Sequence, residues 1–276
     1  MVTATEEGIF NGTIVDLFRP PPDNEEGGNG TSPNLNGGSG SSFNEILLTE
    51  DDDETIATAG ADSIQGLGGR DSIEGRGRGD IIFGNDDNDT LLGGVGDDSL
   101  FGNREQDSLV GDDGEDTLWG GRDNDFLDGG DDDDTLFGNR GNDCIFGGLD
   151  DDCLYGGRGD DCLDGGDGDD TLAGDRDSDT LTGGAGEDLF IISPNTGGLS
   201  ESEADIITDY NPDDDDEIGL INGLSRNDLE FRETLVGEEN GTVIFIDNNS
   251  GLTDNEEDFL AIVIGVEESD LDFTTI

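Results

Sequence analysis

From residue 64 to residue 190 a large apolar residue recurs at every ninth position without a break: Ile64, Ile73, Ile82, Leu91, Leu100, Leu109, Leu118, Leu127, Leu136, Ile145, Leu154, Leu163, Leu172, Leu181 and Phe190. Two positions before each of them stands an aspartate, from Asp62 to Asp188, in all fifteen repeats. The position that opens each repeat is Gly in fourteen of fifteen, Ala57 being the exception. Self-similarity at a fixed short period marks a solenoid, in which each unit buries its apolar residue only against its neighbours. A solvated acidic linker of the same composition has no reason to hold Asp and Ile or Leu in fixed phase.

Each repeat reads Gly-Gly-x-Gly-x-Asp-x-U-x, best kept in Gly165–Ala173 and Gly183–Ile191, U being the apolar residue. The Gly-rich six residues predict a turn, because Gly takes φ > 0 without penalty and lets carbonyls converge. Where the second Gly is replaced, the substitutes are mostly Asn85, Asn103, Asn139, Asp112 and Asp175, the types that best tolerate the left-handed region. The last three residues predict a short strand in which only U points inward. Two repeats then make one coil, giving two parallel sheets back to back over a thin Ile/Leu core, about 35 Å long at roughly 4.8 Å per coil.

Composition says what such a core needs. Hydrophobic residues make up 30% of the 276, Gly occurs 48 times, and 72 Asp+Glu against 11 Lys+Arg leave a formal charge of −61. Burial alone has little with which to offset roughly 1–2 kcal/mol of backbone entropy per residue, and a body of that charge repels itself unless counter-ions bind. Nucleic acid and direct membrane insertion are poor expectations, because both need basic patches or long apolar runs that are not apparent in the sequence. The absence of His removes the usual zinc ligand and general base, so no catalytic residue is expected and the chain reads as no enzyme by itself.

The repeats resemble the RTX family of hemolysin-type calcium-binding repeats, over residues 57 to 191. The resemblance implies an all-β parallel β-roll whose turns hold Ca2+. Alternate repeats put the aspartates in two columns on opposite edges, one of Asp62, Asp80, Asp98, Asp116, Asp134, Asp152, Asp170 and Asp188, the other of Asp71, Asp89, Asp107, Asp125, Asp143, Asp161 and Asp179. Calcium takes six to eight oxygens, which neighbouring turns supply as carboxylates and carbonyls. Several ions are implied, at most about thirteen, one per gap along the columns. Poor sites are expected beside Arg78 and Glu105, which stand where Gly belongs, with Leu67 and Arg76 as further departures. The expected ligand set is therefore Asp98, Asp116, Asp125, Asp134, Asp143, Asp152, Asp161, Asp170, Asp179 and Asp188, with the turn glycines Gly111, Gly129, Gly147, Gly148, Gly156, Gly157, Gly159, Gly165, Gly166, Gly168, Gly183, Gly184 and Gly186.

Outward positions carry a second pattern. Phe83, Phe101, Trp119, Phe137 and Tyr155 recur every eighteen residues on one face, followed by Ala173. Such a ladder serves either as a contact surface for a protein or surface partner or as a stack that steadies its own sheet. Cys144 and Cys162 share the other face one coil apart, with Cys153 opposite; they read as small residues in place of Ser or Thr rather than as a disulfide framework.

The flanks differ. Residues 1–55 carry Pro20–Pro22, a Gly/Asn/Ser stretch and the acidic run Glu50–Glu54, and are expected to be a disordered tail. Residues 56–191 are the expected roll. Residues 192–276 lose the grid and gain β-prone runs at 205–210, 217–221, 242–246 and 259–264, expected as an antiparallel β cap. Asp205-Ile-Ile-Thr-Asp209-Tyr210 with Asp216-Glu-Ile-Gly-Leu220 resembles the stretch that follows the repeats in serralysin-like RTX proteins. The acidic residues before the apolar finish at Ile276, with no positive n-region at the N-terminus, resemble an uncleaved C-terminal type I export signal. The expectation is a secreted, extracellular, non-catalytic surface, matrix or adhesion protein that folds on calcium. The alternative is an accessory or secretion module of an RTX-type extracellular enzyme or toxin system.

Overall fold

The computed structural model describes residues 43–192, 204–221, 224–236, 239–247 and 257–276. Short strands follow one another from Asn44–Leu47 and Glu54–Ile56, through Asp62–Leu67 and Ser72–Gly77, to Thr180–Ala185 and Leu189–Ile192. Successive strands enter different sheets. Within a sheet each pairs in parallel with the strand eighteen residues on, so that Leu118, Leu136 and Leu154 are direct neighbours. The first sheet has 11 strands and the second 12.

The nine-residue grid becomes one continuous core. All fifteen U residues are buried, none more than 1% exposed. The aspartates two positions earlier are also buried, so each turn folds its carboxylate inward, under the backbone of its own loop. Positions 2 and 4 of the turns take φ > 0 almost throughout, as at Gly121 (120°), Asn139 (75°), Gly141 (131°) and Asp123 (71°). Leu67 (82°), Arg76 (87°), Arg78 (71°) and Glu105 (63°) follow the same path despite a Cβ that disfavours it.

Two boundaries move. The roll starts at Asn44, twelve residues before the expected 56. Asn44 aligns with Asp62 and Ile46 with Ile64, while Thr55 pairs with Ile73. These two units lack the opening Gly, yet the side-chain amide of Asn44 and the backbone N–H of Asp53 still make the column's bonds, donating to Oδ1 of Asp62 and of Asp71. Of the expected tail, residues 1–42 lie outside the described residues.

At the other end the expected antiparallel strands are present, Glu230–Val236, Glu239–Asp247 and Glu257–Ile264, but they do not follow the repeats directly. Asp205–Ile207 stacks in parallel on Thr180–Ala185, and Glu217–Leu220 on Leu189–Ile192. Glu257–Ile264 and Phe273–Thr275 then add in parallel to these two strands. The roll thus runs on past its motif, with Ile207 and Ile218 filling the U position, and the hairpin closes only the second sheet. Tyr210 pins the junction: its hydroxyl donates to the carbonyl of Asp216 at 2.7 Å and accepts the N–H of Asp272 at 2.8 Å.

Candidate metal centres

Each column aspartate uses its two oxygens differently. Oδ1 accepts the backbone N–H of the aspartate one coil earlier, at 2.5–3.1 Å, from the pair Asp53–Asp71 to Asp179–Asp205 and Asp188–Asp216. Oδ2 is buried and has no hydrogen-bond partner in Asp71, Asp80, Asp89, Asp98, Asp107, Asp116, Asp125, Asp134, Asp143, Asp152, Asp161, Asp170, Asp179 and Asp205. Native interiors tolerate few such atoms, because each forfeits its hydration without return.

The glycine that opens each repeat explains where Oδ2 points. A methyl built on Gly66 would lie 2.6 Å from Oδ2 of Asp71 and 2.5 Å from the carbonyl oxygen of Gly84, one coil on. On Gly75 it would meet Asp80 Oδ2 at 2.5 Å and the Gly93 carbonyl at 2.7 Å. The same pairing holds at Gly111, Gly129, Gly147, Gly156 and Gly165, so a carboxylate and a carbonyl from successive coils face one point above a bare Cα. Gly183 is likewise filled by Asp188. Gly148, Gly157, Gly166 and Gly184 at position 2, with Gly159 and Gly186 at position 4, supply the φ > 0 corners between these points. At Gly168 a Cβ would strike the Asp150 carbonyl of the coil before.

Burial drives the column carboxyls from Asp80 to Asp188 above the ordinary carboxylate range. Desolvation is the main cause, the N–H from the preceding coil opposes it, and neighbouring carboxylates add to it at most positions. Asp125 and Asp161 are pushed to about 9, Asp107, Asp134 and Asp152 to about 8, and Asp98, Asp116, Asp179 and Asp188 to about 7. Asp143 and Asp170 rise to about 6. A cation beside Oδ2 reverses this balance by favouring the ionised form.

Among the described residues no three acidic side chains gather as a metal cluster. The donor set is of another kind, one hard carboxylate oxygen per turn with backbone carbonyls, repeated along the edge. That chemistry suits calcium and offers none of the His or thiolate donors that zinc or copper prefer.

The ends of the columns are closed differently. Asp53 Oδ2 accepts the N–H and hydroxyl of Thr49, both at 2.8 Å, and Asp62 Oδ2 accepts those of Thr58 at 2.9 and 2.8 Å. At the far end Asp216 Oδ2 takes the N–H of Asn211 at 2.7 Å, while Asp209 accepts the N–H groups of Gly183 and Gly184. Three of the four column ends, at Asp53, Asp62 and Asp216, are thus satisfied by the protein itself, while Asp205, at the far end of the other column, keeps an open Oδ2 like the carboxylates between.

All ten expected aspartate ligands therefore sit together in the two columns, and the turns at Arg78 and Glu105 keep the same backbone path. Asp205 and Asp216 were not foreseen as column members, because 26 and 28 residues, rather than eighteen, separate them from Asp179 and Asp188. Asp205-x-Ile207 nonetheless repeats the Asp-x-U signature and was legible in that form.

The aromatic row is a stack of rings: centroids of Phe83, Phe101, Trp119, Phe137 and Tyr155 follow at 4.6, 4.3, 5.8 and 5.0 Å with planes within 11°. Ring faces meet one another, which steadies the first sheet. Cys144, Cys153 and Cys162 are free thiols, Cys144 and Cys162 being in-register neighbours on the second sheet.

A parallel two-sheet solenoid with inward carboxylate columns under Gly-rich turns defines a calcium-binding β-roll. The pattern of the RTX calcium-binding nonapeptide repeat matches in overlapping windows from residue 49 to residue 191, more than half of the chain, and the chain belongs to that family. No curated protein matches it. Among the described residues no helix is long and apolar enough to cross a membrane.

Proposed function

We propose that this chain is a secreted protein whose roll folds on meeting extracellular calcium, and that it serves a surface, matrix or adhesion role without catalysis of its own. The observation that carries the reading is the row of fourteen buried aspartate oxygens without a partner. Left so, each carboxylate must either hold a proton at neutral pH or stay charged out of water, and both oppose folding. Calcium removes that opposition. Asp98 to Asp188, with carbonyls such as those of Gly129, Gly147 and Gly165, would hold the ions.

Those oxygens converge only in the folded turns, so the free energy of binding becomes free energy of folding. With affinities of about 10⁻⁴–10⁻³ M, typical of extracellular calcium modules, the roll stays open where calcium is scarce and closes where it is abundant. A chain that unfolds in a low-calcium interior suits export before folding. The C-terminal reading is compatible: Phe273–Thr275 is a last edge strand, with Ile276 donating to Leu220. A non-catalytic role accords with the absence of His.

Far-ultraviolet circular dichroism of the full chain, in chelator and then in millimolar calcium, tests the core of this reading. A β signal should appear with calcium; an unchanged spectrum sinks it.

A further inference from the structure

Five of the eleven basic residues, Arg104, Arg122, Arg140, Arg158 and Arg176, recur at eighteen-residue intervals at the third position of successive turns. All lie on one edge, and Arg122, Arg140, Arg158 and Arg176 are in-register neighbours on adjacent strands. Arg104 reaches Asp86 at 2.9 Å, one coil back. In these five turns the carboxylates outside the column are Glu105, Asp123, Asp160, Asp175 and Asp177, five against five arginines.

The opposite edge has no such balance. Its five turns at 112–116, 130–134, 148–152, 166–170 and 184–188 contain no basic residue and eleven carboxylates outside the column. At the third position, where the first edge has Arg, this one has Asp113, Asp131, Leu149, Asp167 and Ala185, all exposed. The roll therefore carries a balanced edge and an acidic edge with the same repeat along the axis.

We propose that the calcium-loaded roll associates edge to edge with a second copy, the arginine row of one molecule on the carboxylate row of the next. The inference rests on calcium filling the columns, since without it both edges are strongly negative. Loading neutralises the column aspartates on both edges and leaves one edge balanced, with its row of arginines, and the other negative. At physiological ionic strength the screening length is about 8 Å, so these rows outweigh the distant net charge. Both rows repeat with the coil, roughly 4.8 Å, the arginine row without a gap and the acidic row with Asp113, Asp131 and Asp167 at three of its five third positions, so charges on the two stay in phase along the axis. The contact joins two different edges, so it propagates as an open ribbon rather than closing as a dimer. A nucleic-acid strand is a poorer occupant of the arginine edge, because the adjoining rings already use their faces on each other and offer none to bases.

Sedimentation velocity of the full chain at physiological salt, with calcium or chelator, tests this. The wild type should form species larger than a monomer in calcium only. The triple variants Arg122→Gln/Arg140→Gln/Arg158→Gln and Asp113→Asn/Asp131→Asn/Asp167→Asn should each weaken self-association about tenfold or more. Mixing them should restore a heterodimer and nothing larger, since each keeps one intact edge. A wild type that stays monomeric in calcium, or an arginine variant that assembles unchanged, overturns the proposal. So does a monomeric wild type that binds polyglutamate through the same arginines. Circular dichroism on the same samples separates the failures: a calcium-induced β signal without assembly defeats this inference alone, whereas no β signal defeats the calcium reading.

Discussion

At Gly129 a side chain of any size would meet Oδ2 of Asp134 and the carbonyl of Gly147 together, so in the proposed reading the bare Cα leaves the space in which a calcium ion would meet those oxygens. Gly129→Ala should raise the calcium needed for folding by about tenfold, read from the midpoint of a calcium titration; an unmoved midpoint would mean that the glycine serves the turn alone. The residues at Arg78 and Glu105 pose the opposite problem, with a Cβ where the path demands φ > 0. Relief of about 1–2 kcal/mol less the entropy that glycine adds to the unfolded chain predicts that Glu105→Gly stabilises the calcium form by about 0.5–1 kcal/mol. Thermal melts in saturating calcium check it, and a lowered midpoint refutes it.

At the scale of the strand and its turn, the unit is a ladder rather than a residue. Asp134 links two coils, its Oδ1 accepting the N–H of Asp116 at 2.7 Å while Oδ2 stays open. Asp134→Asn keeps an acceptor for that N–H but loses the charge. The variant should bind at least one calcium ion fewer by native mass spectrometry, with little change in how the metal-free chain behaves in acid. The aromatic stack is the ladder on the outer face, with Trp119 between Phe101 at 4.3 Å and Phe137 at 5.8 Å. Two ring pairs at about 0.5–1.5 kcal/mol each predict that Trp119→Ser lowers calcium-form stability by about 1–3 kcal/mol, measured by denaturant titration. No loss would leave an external partner as the stack's purpose.

Across the whole molecule the column carboxyls couple folding to pH. Their values in the metal-free roll, about 6 at Asp143 and Asp170 and up to about 9 at Asp125 and Asp161, exceed the unfolded value near 4. The folded chain thus binds protons more tightly than the unfolded one. The stability these protons contribute is complete below about pH 4 and is lost as pH rises through the folded values. In chelator, acidification from pH 8 to pH 4.5 should therefore increase β signal, whereas at pH 8 only calcium should do so. A β signal that falls on acidification in chelator contradicts this assignment of the buried aspartates.

The sequence by itself determined the solenoid, its coil of eighteen residues, the two aspartate columns and the glycine corners, because each is a one-residue requirement repeated in phase. Only the tertiary structure revealed how far the roll extends, since Asn44, Asp53, Asp205 and Asp216 join the columns through hydrogen bonds that need no glycine motif and that bridge 26 and 28 residues as well as eighteen. It alone divided each carboxylate into a bonded and an open oxygen, and closed the ends with Thr49, Thr58 and Asn211. It also gathered scattered arginines into one edge, because a row eighteen residues apart becomes a surface only when the coils are stacked.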